Sequence, residues 1–281
     1  MSKNRLITTV AASAPGRSAG GYGVGAAASA AVAAVAAAGA ASAAPAAVAA
    51  AGGAASAAPA AVAAAGGSSP LVLPGQLEYA LEGSIFVAGA LIQWLRDELG
   101  LLRTAAESED LANQVADTAG VHVIPAFTGL GAPWWVPEAR GAILGLTRGA
   151  RREHIVRASL ESLAFQGADL LAAFAADVGI TIAGLKVDGG AAANGFLMQF
   201  MADVLNAVVR RPQNPEATAL GAAFLAGLQA GVWQDLDELL ALDLPEEEFS
   251  PKISETERQA LLDGWHRALA TVLAREGLVV P

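Results

Sequence analysis

The chain has 281 residues, a formal net charge of −10, a hydrophobic fraction of 54% and no cysteine. Disulfides and thiol chemistry are excluded. An acidic balance without a basic stripe argues against a nucleic-acid partner, and three scattered histidines (His122, His154, His266) argue against a zinc site. Much of the hydrophobic fraction is alanine between Gly25 and Ala65, which buries little area, so the core must come from about Leu77 onward.

In chain order, Leu6–Ala11 is rich in β-branched residues and reads as a strand. A low-complexity tract follows, in which 40–53 (AASAAPAAVAAAGG) repeats letter for letter as 54–67. Each repeat lacks large side chains to stack on its neighbour, so no solenoid is expected, and Pro and Gly-Gly break any long helix. The same interruptions argue against a membrane span, and the start MSKNRLITTV lacks the apolar core of a signal peptide. A soluble protein of a reducing cytoplasm is the expectation. Leu77–Glu82 alternates polar and apolar residues and reads as a second strand, making a hairpin whose loop has been enlarged. Three segments result: 1–16, a first strand; 17–75, a disordered Ala/Gly/Pro insert; and 76–281, the folded body.

Beyond the insert, periodicity predicts helices over Ser84–Leu99 and Ser108–Thr118, a strand over His122–Phe127 and a loop over Thr128–Arg140. A strand over Ala142–Leu146 and a long, mostly buried helix over Arg152–Val178 come next. The strand Leu185–Val187 ends on Gly189-Gly190. Helix Asn194–Leu205, strand Val208–Arg211, helix Ala217–Ala230 and a last amphipathic helix over Ser254–Arg275 complete the reading. Strands alternating with helices predict an α/β layered domain.

Two segments are candidate sites on residue chemistry alone. The first is Val187-Asp188-Gly189-Gly190 running into Ala191–Asn194. Glycines admit close approach of a ligand to the backbone, and the helix that follows is expected to present free N–H groups and the positive end of its dipole. A tight turn without a ligand is the alternative. The second is the loop Phe127-Thr128-Gly129-Leu130-Gly131-Ala132-Pro133-Trp134-Trp135, where two tryptophans serve either a pocket or as a plug over the core. Arg148, Arg151 and Arg152 read as a solvated face, His154 as a surface residue, and Glu216 and Thr218 as helix-capping residues.

Longer blocks carry a resemblance. Tyr79–Ser84 through Ile92–Asp97, Pro125–Pro133, Ala139–Ile143 with Gly145–Gly149, Gly141–Glu161, Asp188-Gly189-Gly190 with Asn194, and Glu216–Ala223 resemble the glycerol kinases of the FGGY carbohydrate kinase family. The likeness covers about Leu77 to Trp265, with Leu6–Ala11. It implies the C-terminal lobe of an actin-like, ribonuclease H-like ATPase, which acts with ATP and Mg on glycerol. By motif match, Gly89 and Gln93 would lie near the phosphates, while Gly190 and Asn194 would contact the adenosine. Two departures stand out. No counterpart of the family's N-terminal lobe is present, and the segment carrying the catalytic aspartate would lie just before Leu6, so no catalytic residue is assigned in this chain and no metal ligand either. The loop reads Trp135-Val136-Pro137 where the family usually has an acidic residue before the proline. The resemblance therefore implies a phosphotransferase by descent, with glycerol bound only in the company of an N-terminal lobe and self-association left open. The rival readings are a non-catalytic fragment, one half of a split kinase, and a sugar kinase of the same family.

Overall fold

A computed structural model of the chain describes residues 8–14, 79–178, 184–214, 217–235, 238–239, 241–242, 244–275 and 277. The tract 17–75 lies outside them, as do Leu6, Ile7, Leu77, Glu78 and Glu216. The first two strands, β1 (Thr8–Ala14) and β2 (Tyr79–Ile85), pair antiparallel from Thr8↔Ile85 to Ala14↔Tyr79. The expected hairpin thus exists, shifted two to three residues toward the C-terminus at each strand. That shift corrects the helix expected from Ser84. Ser84 and Ile85 still pair with Thr9 and Thr8, so the helix α1 begins only at Gly89 and runs to Asp97.

Helix α2 (Glu107–Asn113) is shorter than its periodic stretch, because Gln114 already closes it with a bond to Leu111. Strands β3 (His122–Ile124) and β4 (Ala142–Leu144) form a small antiparallel pair, each shorter than expected. At the end of β4 the chain turns through Gly145 at φ +76°, where a Cβ would lie 2.0 Å from the Gly120 carbonyl oxygen. Helix α3 (Arg152–Val178) has the expected bounds and is the hub of the lobe, packing against α1, α2, β2 and β3. It is buried on most of its faces, with Val156, Leu160, Ala164, Leu170 and Phe174 among its apolar contacts, as expected of a helix surrounded by other elements. Its buried hydroxyls are satisfied locally, Ser159 donating to the Ile155 carbonyl (2.8 Å) and Ser162 to that of Ser159 (2.7 Å).

A third sheet has the order β5-β6-β7, built from β5 (Gly184–Lys186), β6 (Val208–Pro212) and β7 (Glu246–Phe249), with β5 parallel and β7 antiparallel to β6. Between β5 and β6 lie a 3-10 turn (Gly190–Ala193) and helix α4 (Gly195–Leu205). Helix α5 (Ala217–Ala230) has the expected bounds. Strand β7 was invisible in the sequence, since Glu is a poor strand former. Its glutamates are held by cross-strand partners: Glu248 by Arg210 at 3.1 Å, Glu247 by Arg211, and Glu246 by Lys186 at 2.6 Å. The last helix, α6 (Glu255–Arg275), opens on a capping box, in which Ser254 Oγ accepts from the Glu257 N–H (3.3 Å) and Glu257 Oε2 accepts from the Ser254 N–H (2.9 Å). Trp265 anchors α6 on α3. Its ring is 1% exposed, stacks on Phe165 at 5.3 Å and donates from Nε1 to Asp169 Oδ2 at 2.8 Å.

Candidate functional site

The turn after β5 is built by two glycines with different duties. Gly189 has φ +82°, a conformation that L side chains rarely adopt. Gly190 is exposed, and a Cβ added there meets nothing within 4 Å. Space is therefore open on its outer side, and the fold itself does not require glycine at that position. The turn is held from below: the Val187 N–H donates to the Arg210 carbonyl (2.9 Å), and Arg211 Nη1 donates to the Ala192 carbonyl (2.6 Å). Asp188 sits between strand and turn. Burial pushes its carboxyl above the usual carboxylate range, and its buried Oδ1 has no hydrogen-bond partner among the described residues. An acceptor without a donor favours a ligand group that donates, a hydroxyl or amine, over a phosphate.

Asn194 is the N-cap of α4. Its Oδ1 accepts from the Leu197 N–H (2.9 Å), while its Nδ2 donates to Ser108 Oγ (3.1 Å). The next N–H, that of Gly195, donates to Glu109 Oε2 at 2.9 Å. This corrects the expectation of free N–H groups at the start of this helix: the sequence has no acid there, but α2 delivers one from 86 positions away. The positive end of α4 is already met by a carboxylate.

Gly89 and Gln93 lie elsewhere, on α1. Gly89 is its first residue, and Gln93, one turn on, is exposed. The amino end of α1 has no side-chain cap and no acidic residue in its first turn. Helix α3 packs against both α1 and α4, and so joins the two pairs of candidate residues through the core. Among the described residues no group of three or more His, Cys, Asp or Glu side chains could hold a metal ion.

The tryptophan loop divides its two rings. Trp134 packs on the core, whereas Trp135 is 63% exposed, at φ +52°, with its ring edge against Phe86 at 6.3 Å. Gly129 and Gly131 let the loop fold tightly: a Cβ on Gly131 would lie 2.4 Å from the Ser84 carbonyl oxygen. Val136, at the position where an acid was expected from the resemblance, is buried and bridges Leu130. The Arg148–Arg152 stretch is exposed, with Arg151 and Arg152 paired to Glu153. His154 departs from its expected surface place: it is buried, and its Nδ1 accepts from the Arg151 N–H at 3.0 Å to cap α3.

A strand, a glycine turn and a capped helix around one long central helix make a layered α/β lobe. Residues 54–230 match the model of the C-terminal domain of the FGGY family of carbohydrate kinases, and the chain belongs to that family. It is 57% identical over 202 residues to glycerol kinase from Klebsiella pneumoniae and to glycerol kinase from Enterobacter sp., with 72% of this chain and 40% of each relative covered. Among solved structures it resembles Plasmodium falciparum glycerol kinase with ADP (TM-score 0.66, 37% identity, 70% of this chain and 39% of that one). It also resembles xylulose kinase from Rhodospirillum rubrum (TM-score 0.57, 27% identity, 70% and 40%). The lobe has the actin-like, ribonuclease H-like fold expected from the sequence. The chain spans about two fifths of the length of the curated relatives it matches.

Proposed function

We propose that this chain is the nucleotide-binding side of a kinase that moves the γ-phosphoryl of ATP to a terminal hydroxyl of glycerol. The observation that carries the proposal is the family match over 54–230, which includes both Gly89–Gln93 and Gly190–Asn194. The polarity of the two helix starts supports the same orientation. The amino end of α1 is open to negative charge, whereas that of α4 is occupied by Glu109. The phosphates then belong near Gly89 and Gln93, and the nucleoside against Gly190 and Asn194. Open space at Gly190 and the unpartnered Asp188 Oδ1 fit the uncharged, donor-bearing end of the ligand.

In the reaction a glycerol oxygen bonds to the γ-phosphorus, the bond to the bridging oxygen breaks, and ADP leaves. This lobe's part is to bind and orient the nucleotide. Magnesium would be carried chiefly by the ATP phosphates. The base that takes the hydroxyl proton, and glycerol itself, belong to the remaining part of the relatives' fold, on the same or a second polypeptide. We read 1–16 and 76–281 as one lobe with 17–75 inserted in its first hairpin, and place the protein in the cytoplasm. No helix among the described residues is long and apolar enough to cross a membrane.

One wall of a cleft binds weakly, and an ATP Kd of about 1 mM, roughly −4 kcal/mol, is expected for the 281-residue chain. Calorimetric titration at millimolar ATP tests it. The same preparation is expected to form no glycerol 3-phosphate until supplied with the complementary lobe of a glycerol kinase. Turnover by the chain alone overturns the division of labour, and absence of ATP binding overturns the site.

A further inference from the structure

The first turn of α2 reaches the nucleotide turn at two atoms. Asn194 Nδ2 donates to Ser108 Oγ (3.1 Å), and Ser108 Oγ in turn donates to the Ala105 carbonyl (2.6 Å). Ser108 is buried, so its hydroxyl spends both its donor and its acceptor inside the protein. Beside it, Glu109 Oε2 accepts from the Gly195 N–H (2.9 Å). A Cβ on Gly195 would lie 2.8 Å from Glu109 Oε1, so the carboxylate rests directly against the Gly195 backbone, and a side chain there would push the flexible end of Glu109 aside.

These contacts do two separable things. Asn194 is gripped on both sides of its amide, with Oδ1 on the Leu197 N–H and Nδ2 on Ser108. Rotating the amide by half a turn would set donor against donor, so its remaining Nδ2 hydrogen has one fixed direction. Glu109, for its part, brings a negative charge to the first N–H of α4, where a phosphate would otherwise be attracted.

We infer that Ser108 and Glu109 are positioning residues of the nucleotide turn: Ser108 fixes the Asn194 amide toward the ligand, and Glu109 closes the amino end of α4 to phosphate, so that the turn takes the nucleoside end. The inference rests on the reading of Gly190 and Asn194 as the nucleoside site.

The test is NMR titration of the isotopically labelled 281-residue chain with adenosine, ADP and inorganic phosphate as separate probes. In the wild type, adenosine and ADP shift the amide resonances of Gly189–Asn194, and phosphate alone does not. Ser108→Ala weakens adenosine about tenfold and moves the Asn194 side-chain amide resonances, the loss of one oriented hydrogen bond. Glu109→Gln keeps an acceptor for Gly195 and retains adenosine affinity within about twofold. Glu109→Ala gains a phosphate response at Gly195–Leu197 that neither wild type nor Glu109→Gln shows. A Ser108→Ala chain that binds adenosine as the wild type does overturns the positioning role of Ser108. A Glu109→Ala chain that loses thermal stability and weakens every probe equally, with no phosphate response, makes Glu109 a packing residue only and overturns its role. A wild type that responds to neither adenosine nor ADP brings down the nucleoside site itself, a failure visible before any variant is made.

Discussion

Replacing Glu161 by Gln should make the lobe more resistant to heat at alkaline pH and leave it nearly unchanged at acid pH. Glu161 is buried in α3, where it accepts from Arg157 Nε at 2.8 Å. Desolvation is the largest influence on its carboxyl. It outweighs the neighbouring guanidinium, with Asp117 adding a smaller push in the same direction, and the pKa rises to about 7. A raised pKa means that the folded state holds the proton more tightly than the unfolded one. The contribution to stability is therefore complete below the unfolded value near 4.5 and is lost as pH rises through about 7. The gap between the ordinary value of 4.5 and about 7 corresponds to roughly 3 kcal/mol lost by pH 8. Glutamine keeps the acceptor for Arg157 and never ionises. The difference in Tm between Glu161→Gln and wild type should thus grow from near zero at pH 4 to about 6–12 °C at pH 8. Every other titrating group is common to both proteins and cancels in that difference. Scanning calorimetry at half-unit pH steps measures it. A difference that stays flat, or turns in favour of the wild type at high pH, would show that the Arg157 ion pair outweighs burial.

Gly190→Val should weaken ATP binding at least fivefold without lowering Tm, because the added side chain meets only open space in the fold; calorimetric titration beside a thermal melt reads both. Gly131→Ala should destabilise by about 1–3 kcal/mol, since its Cβ would stand 2.4 Å from the Ser84 backbone oxygen, which also accepts from the Ala132 N–H; urea unfolding gives the number. Asp169 holds the His266 ring at 2.8 Å and raises its pKa, with Asp263 adding to the effect, so stability from this pair is full below pH 6.5 and lost as pH rises through the raised value. His266→Ala should accordingly lower Tm more at pH 6 than at pH 9. Deleting 17–75 should raise Tm by a few degrees, because the loop between Ala14 and Tyr79 shrinks from 64 residues to 5, nearly four halvings at about 0.6 kcal/mol each; a fall of ~5 °C would mean that the tract packs on the lobe.

Much of this arrangement was legible in the residues. Gly189-Gly190 after the short strand Leu185–Val187 marked the turn, and the apolar run of α3 marked the hub, because both signals are local in sequence. What stayed hidden depends on contacts between distant segments. Nothing near Asn194 announces Ser108 and Glu109, whose Ser-Glu pair reads only as the acidic start of a helix. Strand β7 was hidden for the same reason, since Glu246–Glu248 becomes a strand only opposite β6, where Arg210 and Arg211 pair with its acids, with Lys186 of β5 reaching Glu246. The helix expected from Ser84 failed because pairing with β1, separated from β2 by 64 residues of chain, overrides the local pattern at Ser84 and Ile85. His154 was misplaced because a capping histidine and a surface histidine look alike until the Arg151 N–H is seen to need an acceptor.

The pairing of β1 with β2 also sets a schedule for the nascent chain. Ala14 leaves the ribosome 71 residues ahead of Ile85, the end of its partner strand. At ordinary translation rates that is an interval of about 4–14 s. Throughout it, Thr8–Ala14 awaits the strand that it pairs with, Tyr79–Ile85. Its composition, TTVAASA, holds a single residue larger than threonine in apolar bulk, so the orphan edge offers little to a neighbouring chain on the same message. Closure then spans a contact distant in sequence, which costs loop entropy before any contact offsets it.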